Sequence, residues 1–158
     1  CKMLSVDGDS KVEITSSICQ NRYYYMYAKD KTEIDFENKL IYTTQFTQND
    51  FSSIIGTQST VTVDSIASCA NLSTKLYGTG SMFIVYENSD ISEIYTLIVQ
   101  GDINGDSTVN VIDLAEIERA SNGHKALNDS YFLAGDINCN EVIDVSDFQT
   151  AVNVALQI

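Results

Sequence analysis

Two twelve-residue stretches of the chain carry oxygen-bearing side chains at the same spacing. They span residues 102–113 and 136–147, 34 positions apart. Each has Asp or Asn at positions 1, 3, 5, 9 and 12. A hard cation such as calcium takes six to eight oxygen ligands, and a loop with this spacing can fold its backbone around one such ion. The repeat therefore predicts two calcium ions, one in each loop.

Each position of such a loop has a specific role. Positions 1, 3 and 5 donate side-chain oxygens, position 7 a backbone carbonyl, position 9 often acts through water, and position 12 closes the site with a bidentate carboxylate. The predicted ligands of the first loop are Asp102, Asn104, Asp106, Thr108 (carbonyl), Asn110 and Asp113. Those of the second are Asp136, Asn138, Asn140, Val142 (carbonyl), Asp144 and Asp147. Val109 and Ile143, at position 8, could pair the two loops back to back.

Two features depart from an ideal loop. Position 6 usually requires the positive φ that glycine adopts easily, but here it holds Ser107 and Glu141. The strain of a left-handed non-glycine residue is about 1 kcal/mol. The second loop also has Asn140 where the first has the carboxylate of Asp106. We therefore expect the second site to be the weaker one.

Charge and composition exclude several classes of function. The net charge of −13 argues against nucleic acid as a partner, and ten acidic against two basic side chains place −8 of it in residues 101–158. No apolar run of 18 residues is present, so we expect no direct membrane contact. The chain begins at Cys1 rather than Met, which suggests a piece of a longer protein. Four cysteines allow three fully paired connectivities; a Cys19–Cys69 bridge within the first domain is preferred, and the alternative is that some or all of the thiols are free.

The hydrophobic pattern changes character near residue 100. Before it, alternating apolar and β-branched runs predict strands at 11–15, 22–28, 39–45, 81–87 and 91–99. After it, periodic apolar segments predict helices at 111–121 and 145–158, with Leu114, Ile117, Phe148 and Val152 facing inward. We predict an all-β sandwich domain over 1–99 and a small all-α domain over 100–158. Because only two residues separate the last strand from the first loop, the two domains should dock.

Shorter helices are also predicted. Residues 63–72 place Val63, Ile66, Ala67 and Ala70 on one face, which favours a helix with Thr62 as its cap. A second short helix is expected through Ala134 with Asn128 as its cap, and Asn122-Gly123 should end the helix that starts at 111.

Three tyrosines alternate along the predicted strand at 22–28. Tyr23, Tyr25 and Tyr27 face one way in an extended strand. A row of this kind can stack on sugar rings, or it can cover the core with cross-strand aromatic pairs. The first domain could therefore be a carbohydrate-binding module or a structural support.

Residues 101–158 resemble a dockerin. The features that carry the resemblance are a preceding strand, Gly-Asp-Ile-Asn-Gly-Asp at 101–106, aspartate at position 12, and the duplicate Gly-Asp-Ile-Asn at 135–138. Dockerins resemble half EF-hands without the entering helix. They attach secreted enzymes and scaffolding proteins to cohesin domains in cellulosome-like, polysaccharide-degrading assemblies. More loosely, residues 79–100 are similar to the Ig-like X modules that precede some dockerins.

The resemblance implies a partner-facing surface. In dockerins it comprises loop positions 10 and 11 and residues one to two turns further along each helix. Here those residues are Val111, Ile112, Glu118, Arg119, Val145, Ser146, Val152 and Asn153. Val-Ile in one half and Val-Ser in the other make the two halves unequal, so we expect one dominant orientation on the partner rather than two equivalent ones.

The expected function is calcium-dependent binding of a cohesin on a scaffoldin or cell-surface anchoring protein. The resemblance implies an extracellular protein, secreted or attached to the cell surface. A calcium sensor is disfavoured because Met3, Met26 and Met82 all lie outside the calcium region. An enzyme is disfavoured because the chain has one histidine, His124, and no HExxH or phosphate loop. We therefore expect a non-catalytic module.

Overall fold

A computed structural model of the chain describes residues 26–29, 31–44, 55–57, 61–66, 77–87 and 89–156. Within these ranges a β region precedes a helical region. The strands are β1 (Met26–Ala28), β2 (Thr32–Asp35), β3 (Leu40–Thr43), β4 (Ile55–Thr57), β5 (Val61–Ile66), β6 (Met82–Glu87) and β7 (Asp90–Val99). The helices are α1 (Val111–Ser121), α2 (Asp129–Gly135) and α3 (Val145–Leu156).

The described strands form two sheets. Five strands pair in the order β2-β3-β7-β6-β5, while β1 and β4 form a separate antiparallel pair. β3 runs parallel to β7, and the other neighbours are antiparallel. Met26 and Ile55 of the two-stranded sheet share a buried core with Ile41, Phe83 and Leu97 of the larger one. The two sheets therefore pack as layers of one β region.

Most sequence-based strand predictions in the described residues are confirmed. β3, β6 and β7 lie within or over the predicted segments, and β1 is the end of the segment predicted at 22–28. β2 and β4 were not predicted. The predicted strand at 11–15, Tyr23, Tyr25 and the Cys19–Cys69 pair lie outside the described residues. Cys139 has a free thiol.

The helix predicted over residues 63–72 is wrong in its first part. Residues 63–66 belong to β5, which pairs along its whole length with β6, from Val61↔Glu87 to Ile66↔Met82. Val61, Thr62 and Val63 are β-branched, and such side chains are stiff in a helix but pack well on a pleated sheet. Pairing with β6 therefore overrides the helical spacing.

The helices of the second region begin and end near the predicted positions. Asn110 caps α1 in a capping box with Asp113, and α1 ends at Asn122 and Gly123, where Gly123 has φ +72°. Asn128 occupies the N-cap position of α2, but its side chain makes no capping hydrogen bond, contrary to prediction. Of the residues predicted to face inward, Ile117 is fully buried, and Leu114 and Phe148 are half-buried against the same cluster. Val152 is half-buried and its neighbour Ala151 is fully buried.

The helical region packs on the free face of the larger sheet. Alternation along β7 directs Ile98 away from Leu97 and Val99, and Ile98 joins Ile117 and Ala134 of the helices in a second buried cluster. Leu40 and Tyr42 of β3 pack against the same cluster. The backbone N–H of Gly101 donates to the Ala134 carbonyl at 2.8 Å. The predicted docking of the two regions is confirmed. No helix of the described residues is long and apolar enough to cross a membrane.

This packing makes a quantitative prediction. Ile98→Ala should lower the free energy of unfolding by about 2–5 kcal/mol, because it leaves a cavity between the sheet and the helices. The matched control is Ile94→Ala on the same strand and the same face, where the side chain is 47% exposed. It should cost less than about 1 kcal/mol. Urea denaturation in calcium-containing buffer measures the free energy of unfolding of both variants. An equal decrease in the two variants would contradict the packing of Ile98 beneath the helices.

Candidate functional site

The first aspartate of each loop is held by backbone N–H groups further along the same loop. Asp102 Oδ1 accepts from Gly105 N at 2.7 Å and Oδ2 from Ser107 N at 3.1 Å. Asp136 is held in the same way by Asn140 N at 3.0 Å and Glu141 N at 2.8 Å. Both loops therefore curl around the carboxylate at position 1.

The last aspartate of each loop joins the two ends of that loop. Asp113 accepts from Ile103 N and Asn110 N, both at 3.1 Å. Its equivalent Asp147 accepts from Asn138 N at 3.1 Å and Asp144 N at 2.9 Å. Because these aspartates lie in the first turns of α1 and α3, the residue that closes each loop also anchors a helix N-terminus.

The middle positions form successive short turns. Asn104 Oδ1 accepts from Asp106 N at 2.7 Å, and Asp106 Oδ1 accepts from Thr108 N at 3.0 Å. Asn138 and Asn140 make the equivalent bonds at 3.0 and 2.9 Å in the second loop. At position 9, Asn110 and Asp144 each accept from the backbone N–H two residues on, at 2.8 and 2.7 Å. Positions 3, 5 and 9 of both loops thus share one hydrogen-bond pattern, while the donors to positions 1 and 12 differ by one residue.

The backbone of both loops is left-handed at positions 4 and 6. Gly105 and Ser107 have φ of 76° and 75°, and Cys139 and Glu141 have 57° and 68°. The geometry expected at position 6 is therefore present without glycine, at about 1 kcal/mol of strain per residue. Ser107 is also 97% buried, and its hydroxyl has no hydrogen-bond partner among the described residues. Left-handed backbone strain of this kind persists only where the surrounding contacts hold the residue in place, and it is common in functional loops.

Four carboxylates are buried in these loops. Asp102, Asp113 and Asp147 are fully buried, and Asp136 is 5% exposed. Burial, with a smaller contribution from the negative charge of Asp113, raises the pKa of Asp102 to about 6 against three opposing backbone hydrogen bonds. Burial likewise raises the pKa of Asp113. Among the described residues the ion pairs join Lys39 to Glu93 and Arg119 and Lys125 to Glu116, and none includes a loop aspartate.

The donor set fits a hard divalent cation. Buried carboxylates without a protein cation are costly, and a bound cation removes that cost. No group of three or more His, Cys, Asp or Glu side chains converges in the described part of the chain. The oxygens available in each loop are mixed: carboxylates, side-chain amides and backbone carbonyls. Such all-oxygen sets suit calcium rather than zinc or copper.

The loop sequence did not reveal one contributor to the first site. Thr79 N, from a turn before β6, donates to Asp102 Oδ2 at 3.0 Å. A backbone N–H that arrives from 23 residues upstream leaves no side-chain signal in a loop motif.

The residues predicted to face a partner lie mainly at the surface. Val111, Ile112 and Val145 are 75%, 56% and 64% exposed. Glu118, Arg119, Ser146 and Asn153 are also exposed, while Val152 is half-buried. Large apolar side chains are thus exposed at the start of α1 and α3, directly after the loops.

Two loops of this geometry, each closing onto a helix N-terminus, define the helical region as a duplicated loop–helix module of the calcium-binding class. Residues 100–154 match the family model of the dockerin type I domain, so this part of the chain is a dockerin domain. Dockerin type I domains bind calcium and cohesin domains in cellulosome-type assemblies, and they are non-catalytic interaction modules. The β region lies outside the match. No curated protein matches the chain.

The raised pKa of Asp102 predicts an unusual pH dependence without calcium. An aspartate with an ordinary pKa of 3.8 and a folded-state pKa of about 6 binds its proton more readily in the folded form. The penalty for burying its charge, roughly 2–3 kcal/mol, is present above pH 6 and is relieved as the pH falls towards 4. Helical circular dichroism of calcium-free protein should therefore rise as the pH falls from 7 to 5.

Asp102→Asn is the control for this titration. It removes the charge but keeps the shape, so the calcium-free variant should be more helical at pH 7 and depend less on pH. With calcium the sign reverses for the wild type, because protons compete with the ion for the carboxylates. An identical pH profile for both proteins without calcium would contradict the role assigned to Asp102.

Proposed function

We propose that this chain is a calcium-dependent attachment module. Its dockerin domain binds a cohesin on a scaffoldin or cell-surface anchoring protein, and so places the parent protein in an extracellular cellulosome-like assembly. The family match at residues 100–154 supports the partner class. The single observation that carries the proposal is that exposed apolar residues directly follow loops whose carboxylates are buried.

Two calcium ions are proposed, one for each loop. Side-chain oxygens at positions 1, 3, 5 and 12, the carbonyls of Thr108 and Val142, and position 9 through water would hold them. When bound, calcium supplies the positive charge that the buried carboxylates lack. Asp113 and Asp147 then hold the N-termini of α1 and α3 against their loops. Each loop has three carboxylates, but in the second loop Asn140 occupies position 5 and the third carboxylate, Asp144, lies at position 9, where it would act through water. The second loop is therefore proposed as the weaker site.

The proposed cohesin surface combines an apolar centre with a polar rim. α1 and α3 contact each other, and each begins with exposed apolar residues: Val111 and Ile112 on one, Val145 on the other. Protein interfaces commonly have such an apolar centre with charged and polar residues around it. Glu118, Arg119, Ser146 and Asn153 supply the rim, with half-buried Val152 beside them.

The two halves of this surface are chemically unequal. Positions 10 and 11 are Val111-Ile112 in the first repeat and Val145-Ser146 in the second. A rotation that exchanged α1 and α3 would place a serine where an isoleucine had been. We therefore propose one dominant orientation on the cohesin.

The β region is proposed to act as an X module that supports the dockerin. Ile98, Leu40 and Tyr42 pack beneath the helices and provide a rigid base for them. In this role the β region needs no ligand of its own.

The proposal is tested by screening the full chain against a panel of cohesins, with calcium and with excess chelator. We expect at least one cohesin to bind in calcium and binding to be lost in chelator, because the helices that carry the contact surface depend on the loops. Binding that persists unchanged in chelator, or no binding to any cohesin in a broad panel, would overturn it.

Interface variants sharpen the same test. In a single orientation, one of Val111→Asp and Val145→Asp should weaken binding by about 2 kcal/mol or more, roughly 30-fold, and the other much less. Two equivalent orientations would limit each single variant to about a twofold loss. Leu156→Asp is the matched control, since Leu156 is 61% exposed at the far end of α3 and should bind as the wild type does.

A further inference from the structure

A turn of the β region lies directly against the first calcium loop. This turn, residues 78–80, connects Tyr77 to β6. Thr79 is fully buried, and its backbone N–H donates to Asp102 Oδ2 at 3.0 Å. The same oxygen accepts from Ser107 N at 3.1 Å. The carboxylate at position 1 is therefore held from two sides, by its own loop and by the β region.

The turn is fixed to the end of β7. Thr79 Oγ1 donates to the Val99 carbonyl at 3.2 Å and accepts from Val99 N at 3.0 Å. Gly80 N donates to the Leu97 carbonyl at 2.9 Å. Asp102 N donates to the same Val99 carbonyl at 3.0 Å. Thr79 and Asp102 are thus positioned relative to each other through one residue of the sheet.

Gly78 permits this close approach. A Cβ atom at this position would lie 2.5 Å from the Gly105 carbonyl oxygen and 2.7 Å from Asp102 Oδ2. Both distances are too short for a real contact, and one of the two atoms belongs to the loop backbone. Glycine is needed here for space between the turn and the loop.

The second loop has no equivalent support in the described part of the chain. Asp136 accepts its backbone hydrogen bonds from Asn140 and Glu141, which belong to its own loop. The two repeats share their ligand spacing, but among the described residues a backbone N–H of the β region reaches only the position-1 aspartate of the first loop. The β region therefore has a direct hydrogen bond through which it can act on the first proposed calcium site.

We propose that Gly78 and Thr79 are positioning residues for the first calcium site, and that they couple calcium binding there to the β region. This inference rests on the proposed calcium loops and adds a route between the two regions. A carboxylate already oriented by three N–H groups reorganises less when the ion binds. The coupling is reciprocal, so calcium in the first loop should also stabilise the turn that contacts it.

The test is a calcium titration of the full chain followed by NMR. The amides of Gly105 and Ser107 report the first loop, and those of Asn140 and Glu141 report the second. Gly78→Ala should weaken calcium binding at the first loop by about tenfold or more, in the range seen when residues that orient metal ligands are changed. The second loop should keep its affinity within about twofold, which also shows that the helical region remains folded.

Gly123→Ala is the matched control. Gly123 has a positive φ, but a Cβ there would meet no atom within 4 Å. The substitution introduces backbone strain at a position distant from both loops. Neither calcium site should therefore lose affinity relative to the other. The inference would be overturned if Gly78→Ala lowered calcium affinity equally at both loops, or if it left the calcium affinity of the first loop unchanged.

A measurement on the wild type covers the case in which Gly78→Ala does not fold. Calcium should slow hydrogen exchange of the Thr79 amide, because its acceptor becomes fixed by the ion. An unaltered Thr79 exchange rate in protein that has bound calcium would contradict the coupling and leave the attachment function intact. A wild-type chain that binds no calcium would refute the proposed function and this inference together.

Discussion

The helical region contains buried carboxylates that, among the described residues, form no ion pair with a protein cation. Asp102, Asp113, Asp136 and Asp147 lie inside two small loops, surrounded by backbone N–H groups. Hydrogen bonds offset part of the cost of burying charge, but like charges at close range still oppose folding. A divalent cation removes this opposition. The position-12 aspartates also lie in the first turns of α1 and α3, so the proposed cation sites and the helix ends share the same residues.

The β region extends this dependence beyond the loops. β7 leads within two residues into the first loop, and its Ile98 lies under the helices. The turn at Gly78 and Thr79 contacts the carboxylate of Asp102, the first proposed ligand. Both loops pack into the cluster around Ile98, but in the described residues only the position-1 aspartate of the first loop accepts a hydrogen bond from the β region, whereas that of the second accepts from its own loop. The helix starts also differ, with Val-Ile at the start of α1 and Val-Ser at the start of α3. The duplicated sequence therefore forms an asymmetric structure.

Sequence reasoning succeeded where the determinants are local. The loop geometry, α1 and the start of α3 depend on residues within one twelve-residue repeat, where ligand spacing and capping residues act over three or four positions. It failed where distant pairing decides: β5 has helical spacing but is held by β6, and β2 and β4 are too short for a clear alternation. Thr79 could not be found at all, because it acts through its backbone N–H.

The most direct test of the account is to measure the number of bound calcium ions and the helix content of the chain in the same titration. Calcium-free chain should lose most of its helical circular dichroism at neutral pH. Stepwise addition of calcium should restore it as native mass spectrometry records two bound ions per chain. A chain that keeps its full helical signal in chelator, or that becomes helical without taking up calcium, would contradict the claim that buried carboxylates make this fold depend on the ion.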